Sequence, residues 1–395
     1  MDVALFGDER SLAGALAPEL LGCRNAADVR EYFASRVFVP PDEFLAAGVV
    51  LSWSMDSQGA YASFREAHER ALSERQFALA ACSLERLAQH AMLFGDTKIA
   101  RAALDDALNL SGAHRLSLWQ LRCAAAGARL AIDSGDFERA ARLLELAAPH
   151  ARERETKALL APIGVALATQ SGDQAVLAGW ASAELLETAL TARDPRNATA
   201  ATIALLAAAL TPRASLATAL RRALLQSAGS SEAVELFSLA ARYGDIEEAR
   251  LAAEAPNALV GANRTYIKAH ALLARAHLLF RCGERAAGID HAGDAARAFN
   301  AMGMRRWMNE AMMLLVRQEN DNLPRRSRGR PVGSALTGRE QQVAHLIRRG
   351  ARNREVAAAL QISEHTVERH VSSILGRLGL RSRWQIVDPK NPGEH

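Results

Sequence analysis

The chain has 395 residues, 49% of them hydrophobic but only 5% aromatic, with a formal net charge of +4. That length exceeds one ordinary domain, and a composition dominated by Ala and Leu favours helix, so a nearly all-α protein of two or three units is expected. The four cysteines (Cys23, Cys82, Cys123, Cys282) have no CxxC spacing and read as buried thiols of a reducing compartment, excluding a disulfide framework or a zinc site.

No apolar run is long enough to span a bilayer; the longest lies around residues 203–210. Asp2, Asp8, Glu9 and Arg10 interrupt any secretory core, so a cytoplasmic location is expected. Residues 1–60 are the least patterned. Residues 1–6 suit a short strand, but repeats begin near residue 62, which leaves too little chain for an alternating α/β domain. A helical N-terminal cap is expected instead.

A tripeptide then recurs: Phe94-Gly95-Asp96, Ser134-Gly135-Asp136, Ser171-Gly172-Asp173, Tyr243-Gly244-Asp245 and Cys282-Gly283-Glu284. The glycines lie 40, 37, 72 and 39 residues apart, the long gap holding a degenerate turn at Leu210-Thr211-Pro212. In each tripeptide glycine ends one helix in the left-handed conformation, and the acidic residue caps the next. A period of 36–40 residues means stacked helical hairpins over 61–317. The pattern resembles tetratricopeptide (TPR) repeats, with residues 295–311 closing the array. Its signal would be a protein docked in the concave surface or a small molecule held between repeats. His270 and His277 share a helix face and read as groove or core residues rather than metal ligands.

Residues 318–335 are polar and rich in Arg, Pro, Gly and Ser, and form a linker. Within it Arg328 and Arg330, in Arg-Gly-Arg-Pro, either enter a minor groove as an AT-hook-like arm or tether through phosphate. From Arg325 to Arg383 there are 13 Arg and 4 Glu, a balance of +9 on an acidic body. This is the charge layout of a protein whose tail meets a polyanion.

The tail, 336–387, reads as four short helices. Thr337 caps the first, with Glu340 completing a capping box, and Gly350 ends it. Asn353 caps the second and Ser363 the third. Val367, Val371, Ile374, Leu375 and Leu378 form the third helix's apolar stripe, leaving Thr366, Glu368, Arg369, Ser372 and Ser373 off it. Two short helices joined by a tight turn, the second with a polar outer face, make a helix-turn-helix.

At these residues a family is recognisable. Leu336-Thr337-x-Arg339-Glu340, Gly350-x-x-Asn353-x-Glu355-Val356-Ala357, Ile362-Ser363-x-x-Thr366-Val367-x-x-His370-Val371 and Arg377-Leu378-Gly379-Leu380-x-Ser382-Arg383 resemble the LuxR (GerE-type) helix-turn-helix. The resemblance implies an all-α protein, a TPR-like solenoid followed by a four-helix LuxR-type domain, acting as a regulator on promoter DNA. RNA polymerase would be a further partner. It also implies a third helix in the major groove, with Glu368, Arg369 and Ser372 toward bases and Thr366 and His370 toward backbone. His370 reads equally as a packing residue.

Glu368 stands where the family often has lysine; a carboxylate accepts from cytosine N4 but repels phosphate. The DNA-contacting set is completed by Asn353, Arg354, Ser363, Val367, Ser373, Arg377 and Arg383. Trp384, Ile386 and Val387 form a self-complementary dimer patch or cover the core. Residues 388–395 are a tail.

Large relatives of this architecture carry an ATPase before the repeats. Here the lysines, Lys98, Lys157, Lys268 and Lys390, follow Thr, Thr, Ile and Pro, so no GxxxxGK[ST] loop exists. No HExxH or GxSxG appears either, and neither enzyme chemistry nor a cofactor is expected.

Overall fold

Glycine turns separate antiparallel helix pairs along most of the chain. The structure, a computed structural model, describes residues 17, 20, 23, 26–53, 56–192, 195–208, 216–221, 231–254, 264–321, 336, 338–360, 362–378, 383 and 386. Among the described residues there is no strand. A short α1 (Ala26–Ala34) leads into hairpins α2/α3 (Pro41–Trp53, Ser57–Ser73), α4/α5 (Phe77–Phe94, Thr97–Ala113) and α6/α7 (Ser117–Ser134, Phe137–Ala147). Shorter helices follow: α8 (Arg154–Ala158), α9 (Ala161–Ser171), α10 (Gln174–Trp180), α11 (Ala183–Thr191) and α12 (Pro195–Ala207). Then come α13 (Ser231–Tyr243), α14 (Ile246–Glu254), α15 (Thr265–Arg281), α16 (Arg285–Ala301) and α17 (Arg305–Asp321). The hairpins thus start at Pro41, earlier than the repeat pattern showed, and α17 carries helix four residues into the expected linker. The degenerate turn at Leu210-Thr211-Pro212 and the arm residues Arg328 and Arg330 lie outside the described residues.

The tripeptide chemistry is visible at the turns. α4 ends at Gly95 with φ +85°, where the Gly95 and Asp96 N–H groups donate to Met92 (3.0 Å) and Ala91 (2.8 Å) carbonyls. Gly135, Gly172 and Gly283 are also left-handed, whereas Gly244 is not. Asp136 accepts from the Arg139 N–H (3.1 Å), and Asp173 from those of Ala175 and Val176 (3.0 Å each). Asp245 and Glu248 cap each other's N–H groups at 2.8 Å. Two acidic residues depart from this role. Asp96 accepts from the Tyr61 hydroxyl (2.7 Å) instead, and Glu284 makes no side-chain cap bond. The opposite junctions, from α3 to α4 and from α5 to α6, turn through left-handed Arg75 (φ 60°) and Arg115 (φ 55°).

Consecutive helices pack side by side, but the array also closes on itself. α4 packs against α13 and α15, and α6 against α17. The Thr97 hydroxyl donates to the Met302 carbonyl (3.0 Å), and Arg264 reaches the Ser52 carbonyl. The inner helices therefore face one another around buried polar side chains. Glu85 is one of them, 3.2 Å from Arg122, 3.5 Å from Arg86 and 3.8 Å from Arg196. Burial opposes its ionisation, but Arg122, Arg86 and Arg196 outweigh burial and bring its carboxyl down to about 2.

His270 is fully buried among Tyr266, Phe299 and Trp307, its Nδ1 2.7 Å from the Ser238 hydroxyl; His277 is 3.6 Å from Glu310. Both are core residues. Cys82 and Cys123 are buried and Cys23 half-buried, whereas Cys282 is exposed at its turn, against expectation. No helix of the described residues is long and apolar enough to cross a membrane.

Candidate nucleic-acid interface

Three helices form the described tail: α18 (Gly338–Arg348), α19 (Asn353–Leu360) and α20 (Glu364–Leu378). Val343, Leu346, Ile347, Val356, Leu360, Val367 and Ile374 are buried between them. Burying that many aliphatic side chains, each contributing about 1.5–3 kcal/mol relative to exposure, fixes the angle between the helices.

Each junction is held by specific bonds. α18 stops at Gly350, whose φ of +86° lets its own N–H reach the Ile347 carbonyl (2.9 Å) and that of Ala351 the Leu346 carbonyl (3.1 Å). Arg352, rather than Asn353, caps α19. Its carbonyl accepts the Val356 N–H (2.9 Å), while its own N–H donates to Glu355 Oε2 (2.8 Å). Arg339 donates to the Leu360 carbonyl (2.5 Å) at the far end of α19 and to Gln342 Oε1 (2.9 Å). Ser363 caps α20 by accepting the Thr366 N–H at 3.1 Å.

These bonds sort the candidate side chains. Glu368, Arg369 and Ser372 are exposed on one face of α20, and Thr366 and His370 are half-buried at its margin. Ser363 and Arg354 are exposed as well. Five candidates turn inward. Val367 is 0% exposed, because the apolar stripe and not the groove claims it. The Ser373 hydroxyl donates to the buried Glu340 carboxylate (2.5 Å). Arg383 donates to Asn353 Oδ1 and to the Ala351 carbonyl, so both side chains are committed to a bond inside the domain. Ile386 is buried with the helix core rather than set in an exposed dimer patch. Thr337, Trp384, Val387 and the side chain of Arg377 lie outside the described residues.

His365 shares the exposed face of α20. Its ring is 91% exposed and its Nδ1 sits 3.8 Å from Glu368 Oε2. The signal that marks it is spacing: His365, Glu368, Arg369 and Ser372 recur at three, four and seven residues, the repeat of one helix face. On a helix entering the major groove, residues near the N-terminus reach base edges. His365 and Glu368 lie there.

The tail is packed against the array. α17 touches α18 and α19, and Arg305 Nε is 3.9 Å from Glu355 Oε1. The apolar cluster of the repeats runs on through Met312 and Leu315 to Val343 and Val356. This contact uses the faces of α18 and α19, so the polar face of α20 remains open.

Residues 334–389 match the luxR family of bacterial regulatory proteins (GerE). The nitrate/nitrite response regulator protein NarP of Escherichia coli is 44% identical over 50 residues, 13% of this chain and 23% of that protein. The uncharacterized transcriptional regulatory protein YhcZ of Bacillus subtilis is 50% identical over 52 residues, 13% of this chain and 24% of that protein. The response regulator protein VraR of Staphylococcus aureus is 44% identical over 52 residues, 13% of this chain and 25% of that protein. The chain therefore spans about a quarter of the length of each of these relatives. No solved structure matches the chain. Its C-terminal domain is a LuxR-family helix-turn-helix, preceded by stacked helices.

Proposed function

We propose that this protein is a sequence-specific transcription regulator, acting in the cytoplasm on promoter DNA through residues 336–387. The array over 61–317 receives a protein or small-molecule signal, and 318–335 bears the basic arm. Glu368, Arg369 and Ser372 read bases, Thr366 and His370 meet the backbone, and Arg354 supplies positive charge toward phosphate. Two copies bind a two-fold site, as expected of helix-turn-helix dimers.

One observation carries the reading: the polar face of α20 stays open while α17 holds α18 and α19 to the array. Such a contact positions the reading helix without covering it. The signal would act by moving the domain, not by unmasking it.

The experiment is selection of random duplexes by the full chain at physiological salt. A shared palindromic motif bound at least about 10³-fold over random sequence supports the regulator. Binding that follows salt and not sequence supports the alternative, a repeat-based interaction scaffold with weak or recruited DNA affinity.

A further inference from the structure

A cleft of about 430 Å³ opens at the seam where α5 and α6 meet the turn between α16 and α17. One wall is the start of α5, with Lys98 and Arg101. The second is the end of α6, with Leu130 and Ser134. The third is the turn Met302-Gly303-Met304 between α16 and α17. The volume falls within the range of small-molecule sites, about 300–1,000 Å³.

The chemistry of the walls is divided. Leu130, Met302 and Met304 are buried and make the apolar side. Methionine side chains adapt to irregular apolar guests. The other side is cationic. Lys98 is exposed and forms no ion pair among the described residues. Arg101 donates to the Ser134 hydroxyl (3.2 Å) and lies 3.9 Å from Asp136, a half-exposed contact worth little. The one acid of the lining, Asp105, is bound by Arg139.

We propose that this cleft binds a small organic monocarboxylate of medium chain length, its head on Lys98 and Arg101 and its apolar body on Leu130, Met302 and Met304. Two cations, one already shared with a hydroxyl, suit a single negative charge rather than a phosphate. The site's consequence rests on the reading of the array as the sensing part. The seam is close-packed: the Thr97 hydroxyl holds the Met302 carbonyl, and a Cβ added at Gly95 would come within 2.8 Å of Met302 Sδ. Immediately after the turn, Arg305 opens α17 and reaches Glu355 of the helix-turn-helix. An occupant that pushes on Met302–Met304 therefore lies at the start of α17, the helix that packs against α18 and α19.

The test is calorimetric titration of the full chain with hexanoate, octanoate and octylamine. Octanoate should bind, hexanoate should bind about fifteenfold more weakly at about 0.8 kcal/mol per methylene, and octylamine should not bind. Lys98→Glu, at an exposed position, should weaken octanoate at least about tenfold with an unchanged circular dichroism spectrum, and Lys98→Arg should restore it. Equal binding of octylamine, or Lys98→Glu binding as tightly as wild type, overturns the site. Octanoate should also shift affinity for a selected duplex. Lys98-dependent binding without that shift retains the site and overturns its coupling to DNA. Failure to select any duplex motif overturns the regulator while leaving the calorimetric result to decide the cleft.

Discussion

Trp307 donates its indole N–H to the Asp133 carboxylate at 2.9 Å, joining α17 to α6 across 174 residues of sequence. Arg306 supports the same contact, 3.4 Å from Asp133 and 3.2 Å from Glu235 of α13. Arg129 of α6 completes the cluster at Glu235. Three helices of the inner layer are thus tied by charged groups that would be costly to bury unpaired. Through α17 the same cluster orients the helix on which the DNA-binding domain rests.

Removing one donor tests that tie. Trp307→Phe keeps a ring among His270 and Phe299 but leaves Asp133 short of a hydrogen bond. It should cost about 1–3 kcal/mol of stability, the usual penalty for a buried acceptor losing its partner. Urea denaturation of the full chain measures it. An unchanged midpoint would show that Arg306 alone satisfies the carboxylate.

The left-handed arginines give a prediction of opposite sign. Arg75 and Arg115 are exposed at positive φ, a conformation that costs an L-residue about 1–2 kcal/mol. Glycine relieves that strain and gives back part of it through the unfolded chain's greater freedom. Arg75→Gly and Arg115→Gly should each stabilise by about 0.5–1 kcal/mol, read as a higher denaturation midpoint. Destabilisation by either would mean that the arginine side chain makes a contact worth more than the strain.

Acid should loosen the array. Burial, then Arg264, lowers His90 to about 4, and burial with Arg306 and Arg129 holds His270 well below the ordinary imidazole range. Between about pH 6.5 and 4 the unfolded chain binds protons that these folded rings refuse, so stability falls as pH falls. His90 alone contributes about 2 kcal/mol of loss between pH 7 and pH 5. Asp133 acts the other way. Burial and Glu235 raise it to about 6, so the folded state holds its proton where the unfolded state has released it. Thermal melts across this range should show a net decline toward acid. His90→Gln should flatten the decline and Asp133→Asn should steepen it; a melting temperature independent of pH would contradict the assignment of both histidines as buried and neutral.

The turns at Gly95 and Gly135 were legible because a left-handed helix end selects glycine, and the spacing of those glycines revealed the hairpins. Arg75 and Arg115 serve the same conformation at the alternate junctions and left no trace, since arginine carries no preference for positive φ. Closure of the array was illegible for another reason. Nothing in the residue types at Asp133 and Trp307 ties positions so far apart, and only the packing of inner helices brings them together. In the tail the apolar stripe located α20. It did not separate Ser372, which is exposed, from Ser373, which bonds to Glu340, because one residue of rotation decides between groove and core. Arg383 is ambiguous for a similar reason: a cation in a basic tail suggests phosphate, and residue type alone does not show its bonds to Asn353 and the Ala351 carbonyl.

The exposed face of α20 makes the sharpest prediction, because two arginines of equal charge should behave differently. Arg369 shares an exposed face of α20 with His365 and Ser372, the face proposed to read bases; Arg354 is exposed on α19, a helix that in this motif runs beside the backbone. A guanidinium bidentate on guanine contributes about 1–3 kcal/mol of discrimination at one base pair. Arg369→Ala should therefore relax preference at a single position of the selected site while leaving the dependence of affinity on salt nearly unchanged. Arg354→Ala should weaken all duplexes alike and lower the slope of log K against log salt by about 1, because one fewer phosphate is neutralised. Repeating the duplex selection and salt titrations with both variants separates the roles. Interchanged outcomes would mean that α20 sits in the groove rotated from the face its exposed residues define.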